Sequence, residues 1–198
     1  RKADLIVTIS EHSKRDICDL LGVDEHRVFN TYQAVHIPDK YVNKPADIVQ
    51  REVEGTFGLD YKNYYLFWGS IEPKKNIHRM IEAYLASRVE GPLVLLGASA
   101  WKSEDELRLL NDDHIRWLRE DDKGDTRVKK RIVTLSYAPF SLLVSLIRGA
   151  KAALFPSLYE GFGLPPLEAM ALGCPVATSN SGFGIARAGE SCPLIALD

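Results

Sequence analysis

Long apolar runs, clustered metal ligands and an excess of either charge are all missing from this sequence. Its three cysteines, Cys18, Cys174 and Cys192, have neither the density of a disulfide scaffold nor the spacing of a ligand set, so a reducing cytoplasm is the expected setting. Lysine and arginine number 25 against 27 aspartates and glutamates, a formal charge of -2. That balance excludes a broad electrostatic footprint for nucleic acid or an anionic membrane, and any bound anion must be held locally. No run approaches the roughly 18 apolar residues of a membrane span, and the opening "RKADLIVTIS" is too short and too soon interrupted by charge to be a signal peptide. No carboxylate cluster and no His/Cys set at ligand spacing is evident in the sequence.

What is present is alternation. Apolar stretches of strand length, "ADLIVTI", "YYLFWG", "PLVLLG", "RIVTLSY", "AALFP" and "PVATS", are separated by helical patterns, "SKRDICDLLG", "NIHRMIEAYLAS", "SEDELRLL", "PFSLLVSLIRGA" and "GLPPLEAMALG". Strands buried on both faces lose the period-two pattern, so this order predicts βαβ units and a parallel sheet, an α/β fold. Two places interrupt it. Prolines and mixed charge from about Val35 to Gly58 predict a linker leading to a new sheet, and after "PLIALD" no closing helix follows. The expectation is a fragment that begins late in one domain and stops near the end of another. The charged tract Asp121–Arg131 is expected to be a solvated loop.

Chemistry concentrates in "FPSLYEGFGLPPLEAMALGCPV", which carries two glutamates eight positions apart, Glu160 and Glu168. Strand, loop and helix follow one another here, and ligands of open parallel sheets lie outside the carboxyl ends of the strands. Gly161 and Gly163 let a ligand approach the main chain, and the N–H groups near Phe162, Gly163 and Leu164, with the helix dipole, suit a phosphate. Glu160 is in the loop. Glu168 is placed by helical spacing beside a stripe of Leu164, Leu167 and Ala171, where a carboxylate must find donors such as vicinal ribose hydroxyls. The glycines are not a dinucleotide fingerprint, because the third glycine is lacking. A second strand ends at Gly69 and leads to "SIEPKKNIHRM", where Asn76 is expected to cap a helix and Lys74 and Lys75 to reach a diphosphate.

These two stretches, "WGSIEPKKNIHRMIEAY" and "FPSLYEGFGLPPLEAMALGCPVATSN", resemble the donor-binding half of retaining nucleotide-sugar glycosyltransferases of family 4, which have two facing Rossmann-like domains (GT-B). "ADLIVTISEHSKRDICDLLGV" looks like that family's last strand and helix before the crossover. The resemblance implies a doubly wound sheet, with residues 1–36 ending the first domain and residues 37–198 forming a truncated donor-binding domain. It implies that Glu160 lies against the donor sugar, and that Phe162, Gly163 and Leu164, beside Gly161, present amides to sugar and phosphate. Glu168 would hold the ribose, and Lys75 with Lys74 would neutralise the departing diphosphate. Glu160 and Lys75 are thus the expected catalytic pair. Ser70 stands where the family often has an arginine, and Tyr137, in the Ser136–Ala138 loop, would lie near the base.

The implied partners are a nucleotide-sugar donor and, through the absent domain, a glycan or lipid-linked acceptor. The full enzyme would be cytoplasmic, at the inner face of a membrane as a peripheral protein. Neither a cofactor nor a bound metal is implied. The family's Pro-Glu after "SN" is replaced here within "GFGIARAG", at Ile185 and Ala186, and none of His12, His26, His36, His78 or His114 matches a catalytic motif. The competing expectations are an interaction module without turnover and an epimerase of the same fold. Trp68, Trp101 and Trp117 are expected to be packing residues.

Overall fold

A computed structural model describes residues 3–98, 106–108, 116–120, 126–179 and 194–197. Strand β1 (Ile6–Thr8) and strand β2 (Val28–Asn30) pair in parallel as a two-stranded sheet, joined through helix α1 (Glu11–Leu21). Ser10 starts that helix by accepting the Ser13 N–H at 3.0 Å.

The expected linker is helical. Helix α2 (Asp39–Val42) and helix α3 (Ala46–Phe57) each begin at a proline, Pro38 and Pro45. Proline's fixed φ and missing N–H are tolerated at a helix start, so residues that read as linker punctuation initiate helices instead. Val49 and Val53 of α3 are buried in the core, and α3 packs along helix α5 (Phe140–Gly149). Lys44 secures that contact with one ammonium group shared between Glu52, Ser141 and Ser145.

The remaining strands are β3 (Tyr65–Trp68), β4 (Leu93–Leu96), β5 (Arg116–Glu120), β6 (Thr126–Lys130), β7 (Ile132–Leu135), β8 (Ala152–Phe155), β9 (Val176–Ser179) and β10 (Leu194–Leu197). Helix α4 (Ile77–Ala86) follows β3, and helix α6 (Leu164–Ala171) follows β8. Strands β5 and β6 pair antiparallel, so the tract expected as a loop supplies a strand. The alternation of Thr126 and Val128 with charged residues is a period-two signal that the charge had masked. Residues 121–125 and most of the expected helix "SEDELRLL" lie outside the described residues.

The other six strands form one parallel sheet in the order β10-β9-β8-β3-β4-β7. The chain therefore enters at the middle, winds out to one edge, returns beside β3 and winds out to the other. This is the doubly wound α/β arrangement, with its switch point between β3 and β8. The central strands are apolar throughout: Leu66, Phe67, Leu93 and Leu95 are at most 1% exposed, as expected for strands covered on both faces.

Candidate active site

Two loops leave the carboxyl ends of β3 and β8, the pair of strands that flank the switch point. The first is shaped by a close approach. A Cβ on Gly97 would lie 1.9 Å from the Gly69 carbonyl oxygen, so the turns after β3 and β4 can touch only because position 97 has no side chain. A single 3-10 turn, Pro73–Lys75, then delivers Lys75. Asn76 does not cap the next helix. It adopts a left-handed conformation (φ 58, ψ 36), and its side-chain amide donates across to the Pro156 carbonyl at 3.1 Å. The start of α4 is served instead by Glu106, which accepts the His78 N–H at 2.8 Å. With Leu158 N–H donating to the Lys74 carbonyl at 2.8 Å, the two loops are stitched together across the switch point.

That stitching brings Lys75 onto Glu160. The ammonium pairs with Oε1 of the carboxylate, the side chains are 12% and 13% exposed, and Ser157 donates its hydroxyl to the same oxygen at 2.9 Å. Ser157 is itself buried, and its carbonyl accepts from Ser179 at the end of β9. The expected catalytic pair is thus one unit, in a setting where low exposure strengthens the attraction between its charges. An ammonium has three N–H bonds, so Lys75 keeps donors for a second anion while it holds Glu160.

Glu168 is placed differently. Gly163 turns the chain into α6 with φ 91 and ψ 50, a left-handed conformation that favours glycine. The main-chain N–H groups of Phe162, Gly163 and Leu164 precede or open that helix, where the helical ladder has no acceptors for them. The buried face of α6 is Pro166 and Ala169, whereas Leu164 is 38% exposed and Ala171 is exposed. The expected stripe of Leu164, Leu167 and Ala171 is therefore incorrect, because the entry angle set at Gly163 turns a different side of this short helix inward. Glu168 flanks the buried face, and its Oε2 accepts the Trp68 indole N–H at 3.1 Å. Trp68 does pack, but it also makes a polar contact to this glutamate that the sequence reading missed.

The other expected residues surround this centre. Ser70 donates to Glu72 at 2.8 Å, and Lys74, half exposed, lies 3.3 Å from the same carboxylate oxygen. The Ser70 hydrogen bond, followed by Lys74, outweighs desolvation and holds the Glu72 carboxyl below its ordinary range. Tyr137 is 77% exposed beyond the end of β7. Helix α1 also reaches the site: Ser13 Oγ donates to the Gly161 carbonyl at 3.5 Å, and Tyr159 donates its hydroxyl to Asp16. That hydrogen bond raises the Tyr159 pKa above its ordinary value. No motif in the sequence links α1 to the glycine loop, since the contact joins segments more than a hundred positions apart. The "GFGIARAG" loop, with Ile185 and Ala186, lies outside the described residues, as do His114 and Trp101.

Comparison with known proteins bears on what this arrangement does. The model of the family "Glycosyl transferases group 1" matches residues 51–188. The O-antigen chain mannosyltransferase B of Escherichia coli is 34% identical over 184 residues, covering 90% of this chain and 44% of that protein. The O-antigen chain mannosyltransferase RfbU of Salmonella typhimurium is 28% identical over 177 residues, covering 88% of this chain and 42% of that protein. The chain thus spans under half the length of these curated relatives. The crystal structure of Anabaena HepE in complex with UDP-glucose superposes with a TM-score of 0.75 at 17% identity, covering 99% of this chain and 50% of that one. A glycosyltransferase from Rickettsia africae superposes at 0.73 and 13% identity, covering 100% of this chain and 50% of that one. At these identities the structural likeness concerns the fold.

Proposed function

The chain belongs to the glycosyl transferases group 1 family, and from that premise we propose that it is the donor-binding part of a retaining nucleotide-sugar glycosyltransferase of the two-domain GT-B type. In this reading residues 1–36 end the first domain and cross over, and residues 37–198 form the donor domain. The observation that carries it is the joining of Lys75 to Glu160 at the switch point, beside a glycine turn that opens a helix. In a doubly wound sheet that place is where a ligand binds.

The chemistry follows from the charges. When the bond between the sugar's anomeric carbon and the phosphate oxygen breaks, its electron pair moves to the phosphate, and the carbon bonds to an acceptor hydroxyl oxygen whose proton passes to the departing phosphate. Lys75 and the amides of residues 162–164 meet that growing charge with donors already in position. Glu160, against the sugar, keeps Lys75 fixed before the donor arrives, and Glu168 binds the ribose hydroxyls. Lys74 and Ser70 adjust the phosphate end through Glu72, and Tyr137 borders the base. Charge stabilisation is thus supplied by the protein, without a bound metal. The relatives named above are mannosyltransferases, which supports mannose as the sugar and a glycan, or its lipid-linked form, as the acceptor. Peripheral attachment of the whole enzyme at the cytoplasmic membrane face belongs to the same reading; among the described residues no helix is long and apolar enough to cross a membrane.

Calorimetry of the full-length protein against UDP, GDP, ADP and their sugars tests this. One nucleoside diphosphate should bind selectively, and Lys75→Ala and Glu168→Ala should each weaken it about tenfold or more, the worth of a hydrogen bond to a charged group. A folded wild-type protein that binds none of them overturns the reading.

A further inference from the structure

Within the donor-binding reading, which it presupposes, the geometry points to Trp68 as the positioning residue for the ribose-binding carboxylate, holding one oxygen of Glu168 so that the rest of the carboxylate faces the diol. Trp68 is the last residue of β3 and is only 6% exposed. Its ring meets Phe155, the last residue of β8, edge-on at 4.8 Å and 82°, which fixes the indole plane. The indole N–H is a donor with no acceptor capacity, and a buried donor requires a partner. It finds Glu168 Oε2 at 3.1 Å, across 100 positions of sequence.

Filling space at the end of β3 does not require that N–H, because a phenylalanine would meet Phe155 in the same way. The N–H acts on Glu168. A glutamate on the first turns of a short helix has three side-chain torsions to fix before it can accept two hydroxyls, and a ligand that ordered them would lose affinity in doing so. Anchoring Oε2 to a strand of the core removes that cost in advance. A carboxylate has about four acceptor sites, so one indole leaves Oε1 and the remaining lone pair of Oε2 for a vicinal diol. Because the anchor is neutral, it brings no counter-charge to the carboxylate. Among the described residues the indole is the only hydrogen-bond donor to the Glu168 carboxylate. Trp68 therefore couples β3 to α6 directly across the switch point.

The test is ribose discrimination by the full-length protein. GDP, UDP and their deoxyribose analogues are titrated into wild type, Trp68→Phe, Glu168→Ala and the double variant. Wild type should prefer the ribonucleotide by about tenfold, and Trp68→Phe should reduce that preference to about twofold while leaving the affinity for the deoxyribose analogue unchanged, a pattern general damage to the site would not give. Added to Glu168→Ala, Trp68→Phe should change nothing further, since both act through one contact. As a readout that does not depend on the folding of any Trp68 variant, the Trp68 indole N–H resonance should differ between wild type and Glu168→Gln, and should move more with the ribonucleotide than with its deoxyribose analogue. Undiminished ribose preference in folded Trp68→Phe, or an indole signal indifferent to both changes, overturns the role of Trp68 while the donor reading stands. A folded wild type that binds no ribonucleotide overturns the donor reading and this inference with it.

Discussion

Glu160 gives one oxygen to an ammonium and a hydroxyl, whereas Glu168, eight positions along the same segment, has a neutral indole at one oxygen. The first carboxylate is half of a nearly neutral pair, so its worth lies in what it does to Lys75. The second has no cation beside it among the described residues and accepts a hydrogen bond from a neutral donor. The difference gives two identical side chains at one sheet edge separate surroundings and, under the proposed function, separate tasks: the glutamate with a cation partner would belong to a phosphate-facing unit, and the one with a neutral partner would be available for hydroxyls. Both partners come from β3 and its loop, and what separates them is their place along it: Trp68 ends the strand, and Lys75 ends the 3-10 turn that follows.

The comparison breaks most completely at Lys75. Under the proposed function Lys75→Ala takes a cation away from the diphosphate, and it leaves a carboxylate of 13% exposure without its counter-charge. Transfer by the full-length enzyme should fall about a thousandfold, the upper range for loss of one preorganised donor. Stability should fall by about 2 kcal/mol, below the usual figure for a fully buried pair because both side chains keep some exposure. Lys74→Ala, at a half-exposed side chain, should do far less to either. Initial rates and thermal melts of the two variants distinguish these outcomes, and equal losses in both would dissolve the distinction between the two lysines.

A sharper version exchanges charge without changing shape. Glu160→Gln leaves the Lys75 ammonium beside a neutral amide, so the melting temperature should drop while ribonucleotide affinity changes by about threefold or less. Glu168→Gln should do the reverse: an unchanged melt, because among the described residues no cation pairs with Glu168, and a loss of about tenfold in ribonucleotide affinity. If the two variants behave alike in melting and in binding, the division of tasks between the glutamates is wrong.

Much of this was readable in the residues and some was not. The buried strands announced themselves as apolar runs, and the two loops carried short, distinctive stretches, so the α/β class could be anticipated and Lys75, Glu160 and Glu168 could be picked out as candidates at one edge of the sheet. The Trp68–Glu168 contact could not, because it depends on β3 and β8 being neighbours, and that adjacency is a property of strand order that no local pattern carries. Asn76 fits the preferences of a cap residue, yet here the tertiary contact to Pro156 outcompetes the cap and leaves the helix start to Glu106. The prolines at 38 and 45 mislead for the opposite reason: as single residues they break helices, and at a helix entry they do not.

Glu72 is a third case between the two, and it gives the smallest expected effect. It has a cation and a hydroxyl as Glu160 does, but the cation, Lys74, is half exposed. Solvent screens such a pair, so its bonds should be visible in titration rather than in stability. The Ser70 hydrogen bond is the first cause of the lowered Glu72 pKa. A lowered carboxyl pKa contributes stability above the ordinary glutamate value of 4.5, and that contribution disappears as pH falls through the folded value. Ser70→Ala should therefore move the Glu72 midpoint upward toward 4.5 in a carboxyl NMR titration, and should narrow the acid-side pH window in which its charge survives. A midpoint that does not move assigns the shift to Lys74, in which case Lys74→Ala must raise it. Lys74, and not Ser70, would then be the residue that sets the charge of Glu72.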